Sequence, residues 1–264
     1  MDVPRTKRRM RMRTYAIVLA AGKGTRMQSD LPKVLHRVGG KPMIEHLVDK
    51  LEHMNVDDIF VVVGYRGELV KAQLGSRVTY VEQREQLGTA HAVRQAAPLL
   101  KGKQGQTLVL LGDTPLLKPS TMERLMKLQR YTRCPGVVLT ALVDDPTGYG
   151  RIVRDPFTGH VASIVEDRDA LPEQRRIREV NTGNFCFDNQ SLFRALPGIR
   201  NRNAQQEYYL TDIVAALRRT GAANERPPLE SLTLIDPTEA IGINTRAQLA
   251  EAEQALGGLM QAVV

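Results

Sequence analysis

Tyr15-Ala-Ile-Val-Leu-Ala20-Ala21-Gly22-Lys23-Gly24-Thr25-Arg26-Met27 is an apolar run that breaks into a glycine turn. Its first six residues show no polar alternation, which predicts a strand buried on both faces, as in a parallel sheet. An open α/β sheet places its ligand crevice at the carboxyl end of such a strand. Gly22 and Gly24 let backbone N–H groups approach phosphate oxygens closely. Two common phosphate loops are excluded. The dinucleotide pattern G-x-G-x-x-G needs glycine where Met27 stands, and no G-x-x-x-x-G-K-[ST] occurs here. Arg26 and Lys33 follow the turn and bring two fixed positive charges, one a bidentate guanidinium and one a point-charge ammonium, which suits a triphosphate.

Outward from this stretch, strand and helix alternate. Pro42, at a first helical position, opens a helix with apolar residues at 43, 44, 47, 48 and 51. Residues 59–63, 78–81 and 108–111 read as buried strands, the last stopped by Gly112-Asp113, and residues 89–99 read as a helix with Thr89 suited to an N-cap. This alternation implies a parallel sheet covered by helices on both faces. After residue 136 the pattern changes to short strands at 137–143, 150–153, 161–165 and 185–187, with Asp155-Pro-Phe-Thr-Gly159 as a hairpin connection. A helix is expected through Leu210, Ile213, Val214 and Leu217, ending near Gly221. A late strand at 232–235 and a closing helix from Arg246 to about Leu256 complete the chain. The expected fold is Rossmann-like α/β, a mixed, mainly parallel sheet with a small antiparallel insertion. A basic, disordered arm is expected over residues 1–13 and one domain over 14–264.

The 264 residues suffice for a sizeable core, and 42% hydrophobic with 25% charged residues is ordinary for a globular chain. No apolar run is long enough to cross a bilayer and no secretion signal opens the chain, so a cytoplasmic location and no membrane partner are expected. Cys134 and Cys186 lack metal-ligand spacing and read as small buried hydrophobes. Five of the eight net positive charges fall in the first thirteen residues. Such an arm can bind nucleic acid, yet aromatics are only 5% and no stacking motif occurs, so nucleic acid is not expected as a partner. The oligomeric state is left open.

The string Leu19 to Met27 with Pro32-Lys33 resembles the signature of the sugar-1-phosphate nucleotidylyltransferases. Within them it is most like the N-acetylglucosamine-1-phosphate uridylyltransferase domain of the bacterial GlmU enzymes. The resemblance continues in order through Gln86-Leu-Gly-Thr-Ala-His-Ala92, Leu111-Gly-Asp-Thr-Pro-Leu116, Thr147-Gly-Tyr-Gly-Arg-Ile152, Ile164-Val-Glu166, Glu179-Val-Asn-Thr-Gly183, Tyr208-Tyr-Leu-Thr-Asp212 and Gly242-Ile-Asn244. It implies the nucleotide-diphospho-sugar transferase fold and transfer of UMP from UTP to N-acetylglucosamine-1-phosphate. The same chemistry on glucose or glucosamine phosphate, or with dTTP, is the alternative.

The resemblance also implies roles. Arg26 and Lys33 are expected to be catalytic. Leu19, Ala20, Ala21, Gly22, Gly24, Lys33, Gln83, Gly88, Thr89 and Gly112 are expected at the nucleotide, where the Gln83 amide offers a donor and an acceptor to the base edge. Asp113 ends a strand, where one carboxylate beside phosphates often holds magnesium but can equally cap a turn. The resemblance pairs it with Asn244 as ligands of Mg2+. Gly150, Glu166, Asn181, Tyr209 and Thr211 match sugar-binding positions. Leu111 stands where some members carry Tyr, so no side-chain contact is expected there. The hexapeptide-repeat acetyltransferase domain of the bifunctional enzymes has no counterpart, so neither acetyl transfer nor a trimer through that domain is expected.

Overall fold

The computed structural model describes residues 11–221, 227–240 and 242–261. Residues 1–10 of the basic segment lie outside them, so the arm is described only at Arg11–Arg13, where Arg13 Nη2 pairs with Asp58 Oδ2 at 3.1 Å.

The first half runs β1 (Thr14–Ala20), the small hairpin β2 (Arg37–Val38) and β3 (Lys41–Pro42), α1 (Met43–His53), β4 (Asp58–Val63), α2 (Gly67–Leu74), β5 (Thr79–Glu82), α3 (Thr89–Arg94), α4 (Ala97–Leu100) and β6 (Gln106–Leu111). Then follow α5 (Pro119–Thr132), β7 (Gly136–Leu142), β8 (Gly150–Arg154), β9 (Val161–Val165), α6 (Pro172–Arg175), β10 (Glu179–Asp188), α7 (Asn189–Ala195), α8 (Ile213–Arg219), β11 (Glu230–Thr233) and α9 (Arg246–Gln261). One sheet has the order β11-β7-β10-β6-β1-β4-β5, with β8 and β9 attached through β10. β1 is central and parallel to both β4 and β6, in register Leu19 opposite Val62 and Leu111. β10 is antiparallel to β6, β7 and β8, which is the antiparallel part anticipated for the second half.

The unbroken apolar strands explain the two-sided core. Ile17, Phe60, Val62 and Val109 face one layer with α3, α7 and α8, whereas Ala16, Val18, Val61, Leu108 and Leu110 face the other with α1, α2 and α5. Alternate residues of one strand therefore feed two cores, which is why no polar alternation appears in the sequence. A third small cluster joins Val38, Met43, Leu116 and Ile243 to Ala252 of α9.

Several boundaries move for identifiable reasons. Pro42 is extended and pairs with Arg37 in the hairpin, so α1 begins at Met43. The helix expected over 89–99 is two, because Pro98 cannot donate into a continuing ladder and instead sits in the first turn of α4. Thr89 is the first residue of α3, not its cap; Gly88 takes the cap position without a side-chain bond, and Thr89 Oγ1 accepts from Leu210 N at 2.9 Å. The strand expected at 185–187 spans ten residues as β10, with a bulge between Asn181 and Phe185. Its polar half is buried because Thr182 Oγ1 donates to Leu139 O at 2.9 Å and Asn184 Oδ1 accepts from Leu111 N at 3.1 Å. α8 is shorter than expected, beginning at Ile213 after a 3-10 turn at Leu210–Asp212. Cys134 and Cys186 are free and buried. Among the described residues, no helix is long and apolar enough to cross a membrane.

Candidate active site

The carboxyl ends of β1 and β6 adjoin, so the glycine loop after Ala20 and the Gly112-Asp113 step sit side by side. Gly112 N donates to Leu19 O at 3.0 Å. A Cβ on Gly112 would lie 3.0 Å from that oxygen and 3.1 Å from Val34 Cγ1, so a larger residue would push these neighbours apart by a few tenths of an ångström. The ends of β4 and β5 extend the same edge: Tyr65 N donates to Ala21 O at 3.1 Å and Gln83 N to Val63 O at 2.8 Å. Ala20 and Ala21 are buried, while Gly22 is exposed.

Four of the expected residues meet at one point. Lys33 Nζ donates to Asp113 Oδ2 and, at 2.8 Å, to Asn244 Oδ1. Arg26 Nη2 donates to the same Asn244 oxygen at 3.0 Å. Arg26 and Lys33 reach it from two short 3-10 turns, Thr25–Met27 and Lys33–Leu35, that follow the loop. Gly24 makes this possible: it has φ +64°, and a Cβ there would stand 2.6 Å from Lys33 Cβ. Asn244 arrives from the far end of the chain, fixed by Ile243 N donating to Asp113 O at 3.0 Å and by Asn244 N donating to Gln248 Oε1 at 2.8 Å.

The oxygens of Asp113 and Asn244 thus converge on one cationic group, the Lys33 ammonium, and a divalent cation is served by such a pair. Among the described residues no cluster of three or more His, Cys, Asp or Glu could hold a metal.

Gln83 is 3% exposed. Its Nε2 donates to Gly88 O at 3.1 Å and faces His91 Nδ1 at 3.1 Å. Its Oε1 and the Gly88 N–H have no partner among the described residues, so the pair offers an acceptor beside a donor. Gly88 has φ +108°, and a Cβ there would meet Tyr208 O at 2.6 Å. Ala90 N donates to Tyr208 O at 2.8 Å and Tyr208 N to Leu87 O at 2.8 Å, so residues 87–90 are zipped to residues 208–210.

The second group of expected residues lies beyond that zipper. Thr211 Oγ1 donates to Glu166 Oε1 at 2.9 Å. A Cβ on Gly150 would sit 3.4 Å from Ile164 Cγ2 and 3.6 Å from Glu166 Oε2 and Asn181 Cβ. A side chain would fit there, so the glycine leaves open space instead of relieving a clash. Asn181 Oδ1 accepts from Gly183 N at 2.9 Å, and Tyr209 OH donates to Gln205 Oε1 at 2.9 Å. Burial, first of all, raises the Glu166 carboxyl above its ordinary range, with Asp169 and Asp212 adding to it and the Thr211 hydroxyl opposing. Burial also raises Asp212, and it pushes the Tyr209 phenol up to about 12.

Three neighbours of these groups carried no signal of their own in the sequence. Tyr149 is half-buried, and its phenol is raised by burial and then by the Asp113 carboxylate. Lys50 Nζ donates to Pro115 O at 2.5 Å and Leu117 O at 3.0 Å, tying down the loop after Asp113. His91 stands behind Gln83. Tyr149 and His91 lie within the quoted Thr147–Ile152 and Gln86–Ala92 strings, but neither has a pattern around it that announces a role. A separate cavity of about 930 Å³ lies at the opposite, amino-terminal edge of the sheet, among Arg13, Tyr15, Gln106 and Asp188. None of the groups above lines it.

A glycine loop, two cations and a carboxylate–amide pair at the carboxyl edge of an open α/β sheet define a nucleoside-triphosphate-handling class. Residues 16–184 match the MobA-like NTP transferase domain, and the chain belongs to that family. Among the relatives that the chain matches are several named bifunctional protein GlmU. The one from Geobacillus sp. (strain WCH70) is 50% identical over 246 residues, covering 92% of this chain and 52% of the relative. That from Brevibacillus brevis is 52% identical over 239 residues, covering 90% and 50%. That from Enterococcus faecalis is 50% identical over 240 residues, covering 91% and 51%. The chain therefore spans about half the length of the curated relatives it matches. A crystal structure of a Bacillus anthracis protein assigned as a glucose-1-phosphate thymidylyltransferase, in complex with sucrose, has a TM-score of 0.69 at 21% identity, covering 92% of this chain and 94% of that one. It shares the fold.

Proposed function

We propose that this chain transfers UMP from UTP to N-acetylglucosamine-1-phosphate, releasing pyrophosphate and giving UDP-N-acetylglucosamine. The observation that carries the reading is the meeting of Arg26, Lys33, Asp113 and Asn244 where β1 and β6 end. About 50% identity to the GlmU relatives over nine-tenths of the chain supports it. An acceptor on Gln83 Oε1 beside a donor on Gly88 N complements the N3–H and carbonyl of a uracil edge.

The sugar-phosphate oxygen attacks the α-phosphorus of UTP in line. The new oxygen–phosphorus bond forms as the α–β bridge breaks, and its electron pair leaves on pyrophosphate. The nucleophile is already anionic, so the chain needs no strong base, and catalysis comes from positioning and charge neutralisation. Arg26 and Lys33 hold the triphosphate and stabilise the departing pyrophosphate. Asp113 and Asn244 are the residues that would hold Mg2+, which when bound draws together and neutralises phosphate oxygens. Gly150 leaves room for the sugar, Glu166 accepts from its hydroxyls, and the Asn181 amide addresses the acetamido group. A cytoplasmic location belongs to this reading.

Pyrophosphate release is the test, using UTP, dTTP and CTP against N-acetylglucosamine-, glucosamine- and glucose-1-phosphate, with magnesium and with excess EDTA. Release with UTP and N-acetylglucosamine-1-phosphate well above every other pair, abolished by EDTA, is expected. Preference for another sugar phosphate would overturn the substrate assignment, and undiminished release in EDTA the role given to Asp113 and Asn244.

A further inference from the structure

Behind the base-reading edge lies a chain of side chains that the functional reading leaves unused. Gly88 O can only accept, so the Gln83 amide atom 3.1 Å from it is the NH2 group. The same NH2 stands 3.1 Å from His91 Nδ1, which must therefore offer a lone pair. Across the ring, Gln95 Nε2 lies 3.0 Å from His91 Nε2 and 3.1 Å from His91 O. A neutral imidazole has one lone pair and one N–H, so Gln83 and Gln95 compete for the lone pair. Gln83 is buried and anchored at Gly88; Gln95 is anchored likewise at His91 O but is half-buried, so water can meet its NH2 group when its amide turns over. The buried group, whose unmet donor would cost more, prevails. His91 then carries its proton on Nε2, and Gln95 accepts it through Oε1 after giving up its bond to His91 O. The ring packs toward Tyr208, at 6.4 Å between centroids, and Arg94 lies 4.7 Å from the centroid of that tyrosine ring.

We propose that His91 is a positioning residue for base selection. Its Nδ1 lone pair holds the Gln83 amide with Nε2 inward and Oε1 toward the base. The site then takes pyrimidines that carry N3–H, uracil and thymine, and rejects cytosine, whose N3 is an acceptor. A reversed Gln83 would face Gly88 O and His91 Nδ1 with its own oxygen, setting lone pair against lone pair, while presenting the NH2 that cytosine needs. This inference rests on reading Gln83 as the base-recognition residue.

The experiment compares kcat/KM for UTP and CTP in the wild type, His91→Leu, His91→Asn and Gln83→Leu, with thermal melts to establish folding. His91→Leu is expected to lower the UTP-to-CTP ratio about tenfold, the worth of one hydrogen bond. His91→Asn, whose Oδ1 can accept near the place of Nδ1, is expected to restore most of the ratio. Long-range proton–nitrogen NMR of the wild type should show a bare Nδ1 and a protonated Nε2. A merely structural histidine would slow both nucleotides alike. An unchanged ratio in folded His91→Leu, no recovery in His91→Asn, or the opposite tautomer overturns the proposal while leaving Gln83 its role. A wild type without preference for UTP, or a Gln83→Leu variant that keeps it, overturns the reading of Gln83 and this inference with it.

Discussion

Lys33 satisfies two acceptors with one ammonium, and its side chain is 18% exposed against 7% for Asp113. A pair so shielded is screened little by salt and is sensitive to loss of either partner. Lys33→Ala and Asp113→Ala are each expected to lower turnover at least about a hundredfold. Both variants should lose stability through the unpaired charge left behind yet stay folded, because neither side chain belongs to the apolar clusters. Pyrophosphate release with a melting curve checks this, and near-normal release from either variant refutes the assignment. Glu166 gives a prediction of a different kind. Its folded carboxyl is raised, so as pH climbs from the ordinary value of 4.5 through the folded one the native state keeps a proton that the unfolded chain has lost. Stability falls across that window, and the cost persists at neutral pH. Glu166→Gln should therefore melt higher than the wild type at neutral pH, with the gain fading below the ordinary carboxylate range, while sugar-nucleotide formation drops. Equal melting at neutral pH would show that the buried charge carries no such cost.

At the scale of elements, what the sequence discloses depends on whether an element announces itself locally. β1, β4 and β6 are legible because residues buried on both faces leave an unbroken apolar run. α1 is legible because its five buried positions fall at 43, 44, 47, 48 and 51. The first half of β10 is not, since Asn181, Thr182 and Asn184 look like a turn until their partners on β6 and β7 are known. The loop after Asp113 is likewise opaque, because what holds it comes from α1. Lys50 donates there to two carbonyls, and burial pushes its pKa down to about 8. The unfolded chain keeps this proton until its ordinary value of 10.5, so between the two values it binds more protons than the native state. Stability therefore rises with pH across that window, and below about 8 the contribution is constant. Denaturant midpoints measured from pH 8 to 10 should show this rise in the wild type, and Lys50→Met should lack it. Parallel pH profiles for the two proteins would exclude the buried ammonium as its source.

On the scale of the whole molecule, the site is closed by residues from opposite ends of the chain. Arg26 and Lys33 follow the first strand, whereas Asn244 lies beyond the last and outside the matched span of 16–184. Nothing local marks Asn244, so only a family resemblance could single it out, and only the fold explains its position. α9 supplies the explanation. Ala252 is fully buried among Val38, Met43, Leu116 and Ile243, with Leu249 and Leu256 packed against them. A Cβ on Gly39 would stand 2.4 Å from Leu256 Cδ2, so the β2–β3 hairpin meets the helix closely. From the base of α9, Gln248 Oε1 accepts from Asn244 N. Asn244 is thus held by a helix whose hydrophobic contact is separate from the two main cores. Ala252→Glu puts an unpaired carboxylate into that contact, at a cost of several kcal/mol, which a patch this small cannot offset. The helix should lift away, become open to limited proteolysis, and lower turnover at least tenfold, while the central sheet still melts cooperatively. Full turnover from a variant whose helix has been cut would mean that Asn244 keeps its place without α9.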